Sequence, residues 1–294
     1  MEYEIARVLA SFLCGFLLAL SGSLVQQITQ NSLAGPSTLG MNSLVVLVIL
    51  GNYLIGEALG FEESNITAFI VYLGIVFFLY TISNKRKANL AIGADFDQGV
   101  RTLLLMGLCF NLFVGAMFSI AHFFYLAQGK PFPTELWFGN FRQVTGVQVY
   151  LLIGFALVLS TFACRMGNAL RALSFGIETS LTLGVDVRKT IRHSLIISCL
   201  AVGLVTCFFG VFAFMGLIIP HVLRQFRWFR QNSARELSWG ALASGLFLMA
   251  LDQACYHLTF EGTEMPVGLL SSVFGSFILM FLMLRSEKHL WRLS

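Results

Sequence analysis

Leu170 to Asp186 reads LRALSFGIETSLTLGVD, and this stretch decides what kind of helical protein the chain makes. It lies between two long apolar runs, yet it is neither apolar nor a random polar loop. Leu170, Leu173, Ile177 and Leu181 recur at helical spacing and form a short stripe on one face. Arg171, Ser174, Glu178 and Thr182 lie off that stripe, and Gly184 offers a helix stop. Between the flanking runs, Arg165, Arg171, Arg188, Lys189 and Arg192 face only two acids, Glu178 and Asp186. A cationic excess beside membrane spans marks the cytoplasmic side. The expectation is a folded, amphipathic cytoplasmic platform over about 168–190. It either lies on lipid headgroups or meets another molecule.

Composition sets the frame around that platform. Of 294 residues, 57% are hydrophobic and only 12% charged, with a mean hydropathy of +0.79. A soluble domain carries about 25% charged residues, so the chain reads as a polytopic membrane protein. Its net charge of +4 is spread over loops with no arginine-rich block, which leaves no footprint for nucleic acid. Six cysteines, Cys14, Cys109, Cys164, Cys199, Cys207 and Cys255, show no CxxC and sit mostly in apolar runs. They read as small core residues, neither a disulfide frame nor a metal site. Glu2 and Glu4 precede the first apolar run and no A-x-A site follows it, so that run does not read as a cleaved signal.

A helix needs about 20 apolar residues to cross the hydrocarbon layer. Such runs occupy about 5–25, 41–60, 66–83, 102–126, 147–164, 193–212, 237–258 and 267–284, with a shorter run over Ala213–Val222. Basic loops set the orientation. Lys85, Arg86, Lys87 and Arg101 place one loop inside; Arg224, Arg227, Arg230 and Arg235 place another there. Arg285, Lys288 and Arg292 put the C-terminus inside. The loops near 61–65 and 260–265 carry acids without Lys or Arg and belong outside. These assignments agree if the short run also crosses. The expected fold is all-α: one transmembrane domain over 1–294, about nine crossings (one short), N-terminus out and C-terminus in.

Four further stretches carry information. Ser21–Gly40, SGSLVQQITQNSLAGPSTLG, is too polar to face lipid and must meet water or protein. Pro131–Phe141, PFPTELWFGNF, offers aromatics for an interfacial belt or a partner surface. Gly210–Arg224, GVFAFMGLIIPHVLR, contains Pro220, which removes a backbone donor and ends or kinks a helix. His221 beside it reads as a ligand or proton relay, or as a structural residue at a helix end, where a cation is favoured. Asp252 is the one acid well inside a convincing span, and an intramembrane charge is a functional candidate by default. Gly240/Ser244, Ala241/Gly245, Gly268/Ser272 and Ser271/Gly275 are small-xxx-small pairs that let helices approach closely.

These stretches resemble the membrane subunits of the ABC importer family for iron–siderophore, haem and cobalamin, the type II importers. Ser21, Gly22, Gln26, Asn31, Leu33, Ala34, Pro36, Leu39 and Gly40 match the family's SGALLQ…NPLADP segment, with Ser32 and Gly35 as departures. Trp137 and Gly139 match a W-x-x-G segment with one residue fewer between them. Gly210, Phe214, Gly216, Leu217, Ile218, Pro220, His221 and Arg224 match GPIGFVGLIVPHLAR, with Val211 and Ala213 in place of a proline and a glycine. Glu264–Gly268 matches E-[ILM]-P-V-G.

The resemblance implies an ATPase-coupling segment carried by Leu173, Phe175, Gly176, Ile177, Glu178, Leu183 and Gly184. It implies a gating break in the helix around Gly210, Gly216, Pro220 and His221. The family's Asp is present as Asp252, but the arginine four residues on is Tyr256 here, so Asp252 is expected in a structural hydrogen bond or protonated. The chain itself would bind no cofactor or metal, and ATP would be used by a partner. The implied partners are ABC ATPase subunits, a second permease subunit, an extracytoplasmic substrate-binding protein and membrane lipid; the implied place is a bacterial inner membrane.

A secondary transporter would need coupling-ion groups and often a repeated half. An intramembrane enzyme would need paired catalytic groups, yet His122, His193, His221, His257 and His289 are scattered. Gly129-Lys130 lacks the spacing of a phosphate-binding loop, so hydrolysis of ATP belongs to another chain.

Overall fold

The computed structural model describes residues 2–60, 64–85, 96–130, 132, 137–224, 233–260 and 263–290. Its central element is α1 (Glu2–Thr29), a helix of 28 residues. Cys14, Leu17, Leu24 and Val25 are fully buried, and so are Ser21 and Ser23. A helix apolar on nearly all sides belongs in the middle of a bundle. Here α5 (Gly146–Arg165), α8 (Val187–Phe209), α9 (Met215–Arg224) and α10 (Ser233–His257) enclose it.

Small residues make that enclosure possible. A Cβ on Gly22 would overlap the Gly216 carbonyl of α9, and one on Gly245 would run into the Phe12 backbone and ring. Ser21 and Ser198 exchange hydroxyl-to-carbonyl hydrogen bonds between α1 and α8, at 3.3 and 3.2 Å. Lipid offers no hydrophobic drive for helix association, so close backbone packing and bonds of this kind hold such bundles together.

The periphery consists of α2 (Met41–Leu59), α3 (Asn65–Lys85), α4 (Phe96–Ala127) and α11 (Val267–Leu290). The Tyr72 hydroxyl of α3 donates to the Cys199 carbonyl of α8 at 2.9 Å. Asn111 of α4 donates to the Ser37 carbonyl and accepts from Ser43, at 2.7 and 2.6 Å, so α4 holds the loop that leads into α2. Outward faces stay apolar: Phe77, Phe78, Met106, Leu112, Phe113, Phe123 and Leu126 are all more than half exposed. Such a surface has lipid as its solvent. Five helices among the described residues are long and apolar enough to cross a membrane, and Met41–Glu57 and Val267–Phe281 are shorter apolar stretches.

Each apolar run expected from the sequence is a helix. The short run behaves in a particular way. The chain leaves α8 at Phe209, runs without helix through 210–214, and enters the ten-residue α9. Ten helical residues reach about 15 Å, so α9 alone has about half the length of the hydrocarbon layer. Irregular backbone at that depth is tolerated because protein covers it.

The one strand pairing among the described residues is a two-residue ladder, β1 (Thr259–Phe260) with antiparallel β2 (Thr263–Glu264). It is the only departure from an all-helical fold there. Arg86, Lys87, Arg227, Arg230 and Arg292, which entered the orientation argument, lie outside the described residues, as do Pro131 and 133–136.

The Gly22–Gly216 crossing can be tested directly. Gly22→Val should lower the melting temperature in detergent sharply, since overpacking costs about 1–3 kcal/mol and here meets backbone. Gly240→Ala, where the nearest atoms stand at ordinary contact distance, should leave it unchanged or slightly raised.

Candidate functional site

The segment 168–190 is two short helices, not one. α6 (Gly167–Leu173) and α7 (Ile177–Thr182) are separated at Gly176, whose φ of 105° and ψ of 159° suit glycine and few other residues. Because the helical phase does not run through that joint, the predicted stripe breaks. Leu170, Leu173 and Ile177 are buried against the bundle, but Leu181 is 44% exposed. Phe175 and Leu183 stand out further, at 64% and 63%. Glu178 and Arg171 are exposed beside them.

Gly184 takes the left-handed turn after α7. Its N–H donates to the Leu181 carbonyl and that of Val185 to the Ser180 carbonyl, both at 3.0 Å, the double bond pattern of a glycine-closed helix end. Asp186 then caps α8 by accepting from the Lys189 N–H at 3.0 Å. The platform is thus built by its own turn chemistry, and its tip carries a compact apolar patch with one acid and one base. Gln30, just past α1, donates to the Leu173 carbonyl at 2.9 Å and ties the tip's base to the central helix.

The residues read as a gating break do not act together. Gly210 is at the break: it ends α8 at φ 83° and its N–H bonds the Thr206 carbonyl at 3.1 Å. Phe214, at φ 65°, is the strained member, and sequence reasoning did not single it out for strain. Gly216 is a packing contact inside α9. Pro220 lies within α9 without ending it, and the helix continues to Arg224.

Neighbours explain why that proline is tolerated. Proline removes the donor to the carbonyl four residues earlier, which is that of Gly216, and the Gly22 backbone packs against this carbonyl. The next carbonyl, Leu217, accepts from the Gln26 side chain at 3.1 Å. So the polar SGSLVQQ stretch meets protein, as its composition required. His221 is half-buried in the last turn of α9.

Asp252 is fully buried and is not alone. The Arg7 guanidinium donates to both its oxygens, at 2.8 Å from Nη2 to Oδ1 and 3.0 Å from Nε to Oδ2. Nη1 of Arg7 donates to Glu264 at 2.8 Å, and the guanidinium lies 4.9 Å from the centroid of the Tyr256 ring. Of the two expected settings, a structural hydrogen bond or a protonated acid, the geometry has the first, made with a cation that α1 brings to α10 from far away in sequence. The signal was available. One arginine near the start of the first span and one acid in the penultimate span are costly apart and inexpensive together.

The same end of the bundle is laced by the 137–142 loop. Tyr3 donates to the Phe141 and Arg142 carbonyls at 3.1 and 2.7 Å, and Arg142 donates to the Glu264 carbonyl. Gly139 bonds Val211 and Gly268 through its backbone, at 2.9 and 2.8 Å. Phe141 stacks on Phe212 at 5.1 Å, and Trp137 packs on Phe118 at 4.8 Å. Trp137 and Phe141, expected as a belt or partner surface, are thus turned inward. No group of three metal-ligating side chains occurs among the described residues.

If Arg7 stands in for an arginine at position 256, the charge should be movable. Arg7→Ala should lower the melting temperature severely, since breaking a buried pair costs about 3–5 kcal/mol. Arg7→Ala with Tyr256→Arg, which restores an i,i+4 partner for Asp252, should recover more than half of that loss.

Comparison with known proteins places this arrangement. Residues 1–285 match the FecCD transport family model. The hemin transport system permease protein HmuU of Yersinia pestis is 29% identical, over 98% of this chain and 84% of the relative. The vitamin B12 import system permease protein BtuC of Citrobacter koseri is 26% identical, over 98% and 83%. In fold, the chain is similar to an inward-facing metal-chelate type ABC transporter, with a TM-score of 0.74 over 96% of this chain and 85% of that one, at 21% identity. On the match across 1–285, the chain belongs to the FecCD transport family.

Proposed function

We propose that this inner-membrane protein is the permease subunit of an ATP-driven importer and forms the pathway for a metal chelate. The observation that carries the reading is the tip at Phe175, Leu181 and Leu183. Three large exposed apolar side chains, one in the joint between the two short helices, one on the second and one just past its end, lie close in sequence to exposed Glu178 and Arg171. Exposed apolar groups grouped this way mark a docking surface. The docked partner is an ABC ATPase subunit, and this chain uses no ATP and holds no cofactor or metal of its own. The coupling end faces the cytoplasm, and the Arg7–Asp252 end faces out, toward an extracytoplasmic binding protein. Nine crossings over 1–294, with α9 and its non-helical lead as the short one, fit that orientation. A second permease subunit, identical or related, completes the pathway.

The first substrate reading is an iron–siderophore chelate, though siderophore, haem and cobalamin permeases share these motifs. A second reading, haem, is supported by the likeness to the hemin permease, and cobalamin by that to the vitamin B12 permeases. The named relatives are transport subunits, which agrees with a chain that does no chemistry itself.

Tagged purification in mild detergent tests the partner. Glu178→Arg and Phe175→Asp should each reduce the co-purified ATPase about tenfold, a loss of ~1.4 kcal/mol, without lowering the melting temperature. A chain that purifies alone and moves substrate without ATP would overturn the reading. Uptake of labelled ferric siderophore, haem and cobalamin into proteoliposomes holding the assembled importer then separates the substrates, and only one should accumulate with ATP.

A further inference from the structure

A groove of about 540 Å³ opens beside the coupling segment, between the end of α5, the outer side of α6 and the first turns of α8. Its polar lining is Arg165, Asn168, Lys189 and His193, and its floor includes Ala169 and Ala172. Arg165 is the last residue of α5 and Lys189 the third of α8. Both cations therefore sit where two spans end, at headgroup depth. The one acid in the lining, Asp186, already accepts the Lys189 backbone N–H at 3.0 Å and caps the helix.

The groove continues an apolar face. Val158 and Phe162 of α5 are more than half exposed and lie seven and three residues before Arg165, on the same side of the helix. An acyl chain laid along Val158 and Phe162 would bring its phosphate to Arg165, with Lys189 opposite. We infer that this groove binds the headgroup of an anionic phospholipid, with Arg165 and Lys189 holding the phosphate and Asn168 and His193 donating to its oxygens. Basic pockets between membrane helices take such headgroups. Of the tip residues, Phe175 and Leu181 lie outside this lining while Leu183 borders it, so the groove adjoins the docking surface and shares one edge with it. The assignment of the leaflet rests on the orientation proposed above; the site itself does not.

Native mass spectrometry on the assembled complex, purified and reconstituted in nanodiscs of phosphatidylcholine with one-fifth phosphatidylglycerol, reads the site. Wild type should retain phosphatidylglycerol through delipidation. Arg165→Gln with Lys189→Gln should retain it roughly tenfold less, with bound phosphatidylcholine unchanged and ATPase still co-purifying. Equal retention by both proteins would overturn the inference. So would displacement of the lipid by millimolar inorganic phosphate, which would assign the groove to a free anion. Loss of ATPase together with unchanged lipid would assign it to the partner protein instead. A chain that holds the lipid but recovers no ATPase would sink the importer reading and leave the lipid site standing.

Discussion

Arg7 and Asp252 form the contact on which the bundle's arrangement depends. Two opposite charges are buried together between α1 and α10, with the guanidinium bidentate on one carboxylate and bonded to a second at Glu264. Neither charge can be left alone in that setting, since a single buried ion costs several kcal/mol. The pair therefore fixes the register of α1 against α10. From that register follow the Gly245–Phe12 approach one turn further in and, deeper still, the meeting of Gly240 with Ser23. It also binds the first span to the hairpin that carries Glu264, and through Arg142 to the loop that covers the helix break.

A second theme is how irregular backbone is kept at membrane depth. The chain gives up helix at 210–214, adopts a left-handed phenylalanine there, and places a proline inside the next helix. Carbonyls along this stretch find donors from neighbouring elements. Gly139 takes the Val211 carbonyl, Asn140 takes that of Phe209, and Gln26 takes that of Leu217. The amide-rich start of the chain and the aromatic loop before α5 thus serve the same break from opposite sides. Their polarity is an internal requirement, which is why neither reads as an outward surface in the structure.

Much of this was legible in the sequence. The nine apolar runs set the helices because length and hydropathy are local properties. The folded segment over 168–190 announced itself through charge and spacing, and the end of its second helix through Gly184. What sequence could not show was anything that depends on two distant elements meeting. Leu181 was placed on one stripe with Leu170, Leu173 and Ile177 because the turn at Gly176 breaks the phase only in three dimensions. Pro220 was read as ending or kinking a helix, and it lies inside α9, where a glycine from α1 accommodates it. Asp252 was judged by its neighbour at 256, while its partner lay 245 residues away.

The hydrogen bond from Gln30 to Leu173 places the two ends of α1 in different hands. One end is fastened to the base of the docking tip, the other to a rigid cluster of ions and aromatic rings. A continuous helix of 28 residues is about 42 Å long, and it is clasped on all sides. Held along its length, α1 joins the base of the Leu173 tip to the Arg7 cluster through one unbroken helix, with no loop between them.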